Sequence, residues 1–397
     1  MFFQSTEEAP PDPIFGLLGK FRSDIRKEKV NLMVGIYKDE ELKAEVIPSI
    51  RMAMRGIANE GLMADYLPID GFAELIELLG PLAFGDKAWG KSGSRIVGAH
   101  TAGGTGALRV GAEFLAQEVG TSVYLPNHTW PTHRSIFMRV GYQVENYPYY
   151  SKEKRGFDCE ALLSHLRKLP EKSIVVLHAC CHNPTGSDPS PEEWRSISQV
   201  IQEKRLFPFF DFAYQGLGEG LEKDATPIQI FLEEGHEMLI AYSCSKNFSM
   251  YCHRVGALFA VGDAPAFKVK VGSQMRKIIR ALYSNPPAYG AWLVTEVLKR
   301  DDLKKIWKID LGNMRHRIQS TRELFIEKLN AGGQSFNYLK GHKGMFSFID
   351  MQKEAVHRLM EQYAIYMTDN GRVNIAGLSA KNIDYVVESI LAVCGKT

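Results

Sequence analysis

A lysine at the point where an apolar strand gives way to a polar turn can have its amine desolvated, which frees it to attack carbonyl carbon. Lys246 stands at such a point, in Ser243-Cys244-Ser245-Lys246-Asn247-Phe248, directly after the apolar run 238–243. Asp211 is a carboxylate set among aromatic residues, in Phe209-Phe210-Asp211-Phe212-Ala213-Tyr214. Such a charge is costly unless it meets a cation or a protonated nitrogen. The loop Thr101-Ala102-Gly103-Gly104-Thr105-Gly106 runs into a helical pattern. Its glycines let backbone N–H groups approach an anion, and the helix amino end adds a favourable dipole. Trp130, in Asn127-His128-Thr129-Trp130-Pro131-Thr132-His133, offers a flat face to an aromatic ring. Asn183, in His182-Asn183-Pro184-Thr185-Gly186, offers an amide, and Arg254 a second cation.

Taken singly, each of these has an ordinary reading as a tight turn, a core aromatic, a structural acid or a solvated strand-end charge. Together they meet the needs of pyridoxal phosphate: an amine for its aldehyde, an acid for its ring nitrogen and donors for its phosphate. A plain nucleotide binder would leave Lys246, Asp211 and Arg254 without a joint purpose, and the glycine spacing fits neither Gly-x-Gly-x-x-Gly nor the P-loop. Cys180 and Cys181 lie between His178 and His182. Strand alternation is expected to throw the two thiols onto opposite faces, and the finger and ribbon spacings are absent, so no metal centre is expected.

The elements that must position these residues are short apolar runs at 95–100, 121–125, 143–147, 173–179, 206–212, 238–243 and 255–261, alternating with longer amphipathic stretches. That is the pattern of an α/β fold with a seven-stranded, mostly parallel sheet flanked by helices. Several runs are apolar on both faces, as buried strands should be. The pairing order is not legible. Ligands in such folds bind beyond the carboxyl ends of the strands, where the chemical residues cluster. A helical pattern over 301–330 is long enough to bridge two domains, and strands at 345–349 and 372–376, with helices at 352–363 and after Ser379, suggest a smaller α+β domain. The expected division is an N-terminal arm and first part of the small domain over 1–45, a large cofactor-binding domain over 46–312 and a small C-terminal domain over 313–397.

The chain has 397 residues, with 48 Lys and Arg against 46 Asp and Glu for a net charge of +2. No global basic field is present to hold nucleic acid or an anionic membrane. The six cysteines include no Cys-x-x-Cys pair, which points to reduced thiols. With no signal-like start and no apolar run approaching the ~20 residues of a membrane span, a cytoplasmic location is expected.

The sequence resembles the class I aminotransferases of fold type I, in the aspartate and aromatic branch. The likeness runs nearly end to end, through Asn31-Leu32-Met33-Val34-Gly35-Ile36-Tyr37-Lys38-Asp39, Gly103-Gly104-Thr105-Gly106-Ala107-Leu108-Arg109, Asp211-Phe212-Ala213-Tyr214-Gln215-Gly216, Tyr283-Ser284-Asn285-Pro286-Pro287 and Gly371-Arg372-Val373-Asn374, besides the Asn183 and Lys246 motifs. The resemblance implies exchange of an amino group between aspartate and 2-oxoglutarate by a ping-pong mechanism, with tyrosine and phenylalanine as alternative substrates. It implies that Lys246 holds the cofactor and moves the proton, and that Asp211, backed by His133, keeps the ring nitrogen protonated. Asn183 and Tyr214 would bond the ring's phenolic oxygen, and Trp130 would stack on the ring. Gly103, Gly104, Thr105, Ser243 and Arg254 would cradle the phosphate, joined by Tyr66 of a second subunit. Arg372 would pair with the substrate α-carboxylate, with Gly35 beside it, while Arg280 would cross from the neighbouring subunit to the side-chain carboxylate. The resemblance therefore implies a homodimer with shared sites. Asp65-Tyr66-Leu67-Pro68-Ile69-Asp70-Gly71 departs from the family's Asn-Tyr-Leu-Gly-Ile-Asp-Gly, Ala44 replaces a common Thr, and Cys244 replaces a frequent Tyr. These changes are expected around the pocket wall, where they bear on the choice of substrate.

Overall fold

The computed structural model describes residues 2–10, 12, 14–60 and 65–394. Pro11 and Pro13 of the expected arm lie outside the described residues. The seven apolar runs form seven strands: β1 (Ile96–Ala102), β2 (Ser122–Pro126), β3 (Gln143–Tyr147), β4 (Ile174–His178), β5 (Phe207–Phe212), β6 (Met238–Ser243) and β7 (Val255–Val261). They make one sheet in the order β1-β7-β6-β5-β4-β2-β3. β7 is antiparallel to both of its neighbours, and the other pairs are parallel.

The two faces of the central strands belong to different cores. Val175, Leu177, Phe210 and Ile240 pack in one cluster, while Ile174, Val176, Phe209 and Leu239 pack in another on the opposite face. This is why the runs read as continuously apolar, since each residue, odd or even, is buried. On the second face lie α1 (Gly103–Glu118), α2 (Thr132–Val140) and α3 (Phe267–Tyr283), which contribute Leu108, Ile136, Phe137 and Ile279 to that cluster. α1 sits flush on the sheet at Gly111, where a Cβ would come within 2.5 Å of the Phe209 ring.

The expected helix over 301–330 is α4 (Asp301–Ala331). Beyond it, β8 (Phe346–Phe348) pairs antiparallel with β9 (Arg372–Asn374), accompanied by α5 (Lys353–Tyr363) and α6 (Ile383–Cys394). The strand expected over 372–376 stops at Asn374 because that side chain accepts a hydrogen bond from Ala376 N–H and turns the backbone into a short 3-10 helix. Val30–Asn31 pairs in parallel with Ile365–Tyr366, which ties the N-terminal segment to this part of the chain. Among the described residues, no helix is long and apolar enough to cross a membrane.

Candidate active site

The carboxyl ends of β1, β4, β5 and β6 open on a cavity of about 490 Å³ lined by Gly104, Thr105, Asn183, Asp211, Tyr214, Ser243, Ser245 and Lys246. Arg254 joins them because β7 runs the other way. Its first residue, Val255, pairs with Ala102, and Gly256 pairs with Ser243, so the amino end of β7 arrives at the rim where its neighbours finish. Trp130, Gly35, Arg372 and Phe346 complete the walls, together with Ile14, Val34, Ile36, Leu108, Ala213 and Tyr251.

The anion cradle is built from backbone. α1 begins without a side-chain cap, which leaves its first N–H groups to other partners. A Cβ at Gly103 would lie 2.6 Å from the Arg254 guanidinium, and one at Gly104 would lie 2.9 Å from Ser243 Cβ. Gly103 also holds a φ of +71°, which an L side chain rarely adopts. Arg254 is aimed by hydrogen bonds from Nη1 to Ser245 Oγ at 3.2 Å and to the Tyr251 carbonyl at 3.0 Å. A helix amino end, two serines and an aimed guanidinium fit a phosphate.

Asp211, the penultimate residue of β5, faces α2. His133 on that helix is fully buried, and its Nε2 lies 3.0 Å from Asp211 Oδ2. Burial alone would raise the Asp211 carboxyl, but the His133 hydrogen bond and the positive groups nearby outweigh it and hold the acid below its ordinary pKa. The chain of contacts continues from His133 Nδ1 to Thr129 Oγ1 at 2.8 Å, and from there to His178 Nε2 at 3.0 Å. Burial holds His178 neutral, well below its usual pKa. Trp130 meets His133 edge-on at 5.4 Å between centroids. The sequence reading assigned no role to Thr129 or His178, although both lie within stretches that it singled out.

The Lys246 amine lies 4.9 Å from the centre of the Tyr214 ring. Desolvation lowers its pKa to about 8, with Asp211 opposing the shift and Arg254 and Arg372 adding to it. Amine-selective labelling of the cofactor-free protein, followed residue by residue by mass spectrometry, should therefore accelerate at Lys246 as pH rises through about 8. A midpoint near 10.5, as for a solvated lysine, would contradict this environment. Tyr214 is itself pushed above its usual range by burial, and its hydroxyl accepts from Asn183 Nδ2 at 3.4 Å.

Arg372 is 3% exposed and has no carboxylate partner among the described residues. Its Nη1 donates to Asn183 Oδ1 at 2.9 Å, its Nη2 donates to the Met33 carbonyl, and its Nε is buried without a partner. Burial lowers its pKa to about 10. The guanidinium lies 4.2 Å from the centre of the Phe346 ring, and a Cβ at Gly35 would collide with that same ring at 2.7 Å. A buried guanidinium on the wall of a cavity, with no carboxylate partner of its own, has the chemistry to receive a carboxylate.

Four expected site residues do not line this cavity: Gly103 and His133 lie just behind it, against Arg254 and Asp211, while Tyr66 and Arg280 point to solvent. Tyr66 is 86% exposed, and Arg280 is exposed on α3 with Nη1 donating to Ser284 Oγ at 2.6 Å. Ala44 and Cys244 do not line it either, contrary to expectation, and the 65–71 stretch, whose Tyr66 the resemblance gives to a neighbouring subunit's site, lies away from this chain's own cavity. Ala44 and Pro68 are exposed, and Cys244 is fully buried behind the strand end. The expectation that Cys180 and Cys181 face apart also fails. β4 ends at His178, so alternation no longer applies, and both thiols lie within 4.8 Å of each other and of the Asp224 carboxylate. That carboxylate already accepts from the N–H groups of Gly216, Gly218 and Glu219, and burial raises both thiols.

A family model for aminotransferase class I and II matches residues 27–390. The aspartate aminotransferase of Escherichia coli strain K12 is 41% identical over 394 residues, covering 98% of this chain and all of that protein. The aromatic-amino-acid aminotransferase of Burkholderia pseudomallei, solved covalently bound to pyridoxal phosphate, superposes with a TM-score of 0.96 at 39% identity over 99% of both chains. The aromatic aminotransferase of Psychrobacter sp. B6, cocrystallised with aspartic acid, does so with a TM-score of 0.96 at 36% identity, again over 99% of both chains. With a helix amino end beside an arginine, a lysine of lowered pKa and a buried guanidinium around one cavity, and likeness along its whole length, this chain belongs to the class I and II aminotransferases and is an aminotransferase of fold type I.

Proposed function

We propose that the protein is a homodimeric, pyridoxal-phosphate-dependent enzyme that exchanges the amino group between L-aspartate and 2-oxoglutarate. The observation that carries the amino acid assignment is Arg372, a buried guanidinium with one N–H unused on the cavity wall. When bound, the cofactor supplies an electron sink for the carbon that loses its proton. The chain does the rest. Gly103, Gly104, Thr105, Ser243 and Arg254 hold the phosphate, and Trp130 covers the ring. Asp211, fixed by His133, keeps a proton on the ring nitrogen, while Asn183 and Tyr214 hold the phenolic oxygen. Lys246 Nζ would take the proton from the substrate α-carbon and deliver it to the cofactor carbon C4′, and would carry it back in the second half of the exchange. Arg372 and Gly35 orient the α-carboxylate so that the bond to that proton faces the lysine.

The outward positions of Tyr66 and Arg280 support a shared site in which a second subunit supplies both. They would add a phosphate contact and a receptor for the second carboxylate. The aromatic aminotransferases among the similar structures favour a second reading, in which phenylalanine and tyrosine are also accepted. The division at residues 45 and 312 and the cytoplasmic location belong to the same proposal.

Arg280→Ala separates these readings. It should weaken the reaction of aspartate far more than that of phenylalanine, because only aspartate has a second carboxylate to leave unpaired. A lost charge pair in a dry pocket is worth about 2–5 kcal/mol, so the ratio of kcat/KM values should fall well over tenfold. Mixing Arg280→Ala and Lys246→Ala homodimers under subunit exchange should restore aspartate activity. Random pairing makes about half of the dimers mixed, each with one intact site, or about a quarter of all sites. No recovery, with exchange confirmed, would mean that Arg280 does not serve the neighbouring site.

A further inference from the structure

Between Val30–Asn31 and the helix Pro48–Glu60 the chain forms no regular element, yet Val34, Gly35 and Ile36 wall the active-site cavity. Backbone without a ladder of its own keeps its place only through partners supplied from elsewhere. The crest of this segment is held from the site itself. Asn374 Nδ2 donates to the Val34 carbonyl at 2.7 Å and to the Ile36 carbonyl at 3.0 Å, beside the bond from Arg372 to Met33.

One side chain from α4 braces the foot of the segment, beside the Lys381–Glu41 ion pair and the bond from Tyr37 N–H to the Tyr251 hydroxyl. Arg317 Nη2 donates to the Asp39 carbonyl at 2.9 Å and to the Leu378 carbonyl at 2.8 Å. Its Nε lies 2.8 Å from Glu40 Oε1, and its guanidinium carbon lies 5.7 Å from the centre of the Tyr37 ring. The Arg317 side chain is 9% exposed, whereas Glu40 is 64% exposed. One planar guanidinium thus joins three pieces of chain: the long helix, the foot of the cavity wall, and the turn that follows the strand carrying Arg372 and Asn374. A lysine could reach the two carbonyls with its one nitrogen but could not also meet Glu40 and lie flat beside Tyr37.

We propose that Arg317 is a positioning residue for substrate binding, setting the height of the 33–40 segment over the cavity and with it the fit of Gly35 and Arg372 around the α-carboxylate. This rests on the assignment of Arg372 and Gly35 to that carboxylate. The carboxylate is common to every amino acid, so the effect is blind to the side chain, in contrast to that of Arg280. None of the contacts of Arg317 involves Lys246, Asp211 or Arg254, so the chemistry at saturation is spared.

The test compares Arg317→Met and Arg317→Lys with wild type, each loaded with pyridoxal phosphate, using aspartate and phenylalanine. For Arg317→Met, KM should rise about tenfold or more, by the same factor for both substrates, while kcat stays within about threefold. Arg317→Lys should fall between that variant and wild type, and the substrate-free absorption band should titrate as in wild type. A folded, fully loaded Arg317→Met with wild-type KM overturns the inference, as does a rise confined to one substrate. Should Arg317→Met fail to fold, Glu40→Gln at its exposed position decides: a severalfold rise in both KM values supports the inference, and unchanged values overturn it. A wild-type protein that consumes neither amino acid would instead overturn the substrate assignment, and this inference with it.

Discussion

Lys246→Ala is expected to lose roughly four or more decades of transaminase turnover, because in the proposed mechanism it removes both the amine that holds the cofactor and the group that moves the α-proton. No other described lysine lines the cavity to replace it. The phosphate cradle of Gly103, Gly104, Ser243 and Arg254 is untouched, so pyridoxal phosphate should still bind, with an altered visible band. The loss is one of chemistry and not of folding. Burial lowers the lysine's pKa to about 8, so the folded apoprotein below that pH carries a penalty for a desolvated ammonium that the unfolded chain does not. The penalty is full below about pH 8 and gone above the ordinary lysine value of 10.5. Thermal denaturation at pH 7 should therefore find the apo variant at least as stable as wild type. Near wild-type turnover in the purified variant would remove Lys246 from the mechanism.

Asp211→Asn is expected to cost about 3–5 kcal/mol of transition-state stabilisation, or roughly two to four decades of kcat/KM. The wild-type carboxylate is kept ionised by His133 although it is buried, and an ionised acid is what a protonated ring nitrogen requires. Asparagine has nearly the same shape and can still accept from His133, so the fold should survive. Only the charge that strengthens as electrons flow toward the ring is lost. Steady-state kinetics beside a melting curve separates the two effects, and unchanged catalytic efficiency would make Asp211 a structural acid.

The strands were legible in the sequence for a physical reason. In β4, Ile174 to Leu177 feed two different cores, so burial on both faces leaves an unbroken apolar run. The order of the strands was not legible, because an apolar run carries no record of its neighbours. Arg254 shows the cost of that gap. It precedes its strand, and only the antiparallel direction of β7 brings it to the rim where the other residues follow theirs. Lys246, Asp211 and the Gly103–Gly104 turn were readable because each marks an abrupt change of character at a strand end. Arg372 offered no such sign and came from family resemblance alone, since its short strand acquires meaning only by folding back over Asn183. The contacts from Thr129 to His178 depend on how the turn before α2 comes to lie against the end of β4, which no local pattern encodes. Ile14 and Phe346 reach the cavity from the two ends of the chain.

The central claim is that one site holds pyridoxal phosphate through Lys246 and uses it to move an amino group. It is tested most directly by a half-reaction on the purified, cofactor-loaded protein, without the second substrate. Adding L-aspartate should convert the visible absorption band and release one oxaloacetate per site, and adding 2-oxoglutarate afterwards should restore the band and release one glutamate. A band that does not move, or that moves without release of oxaloacetate, would contradict the account.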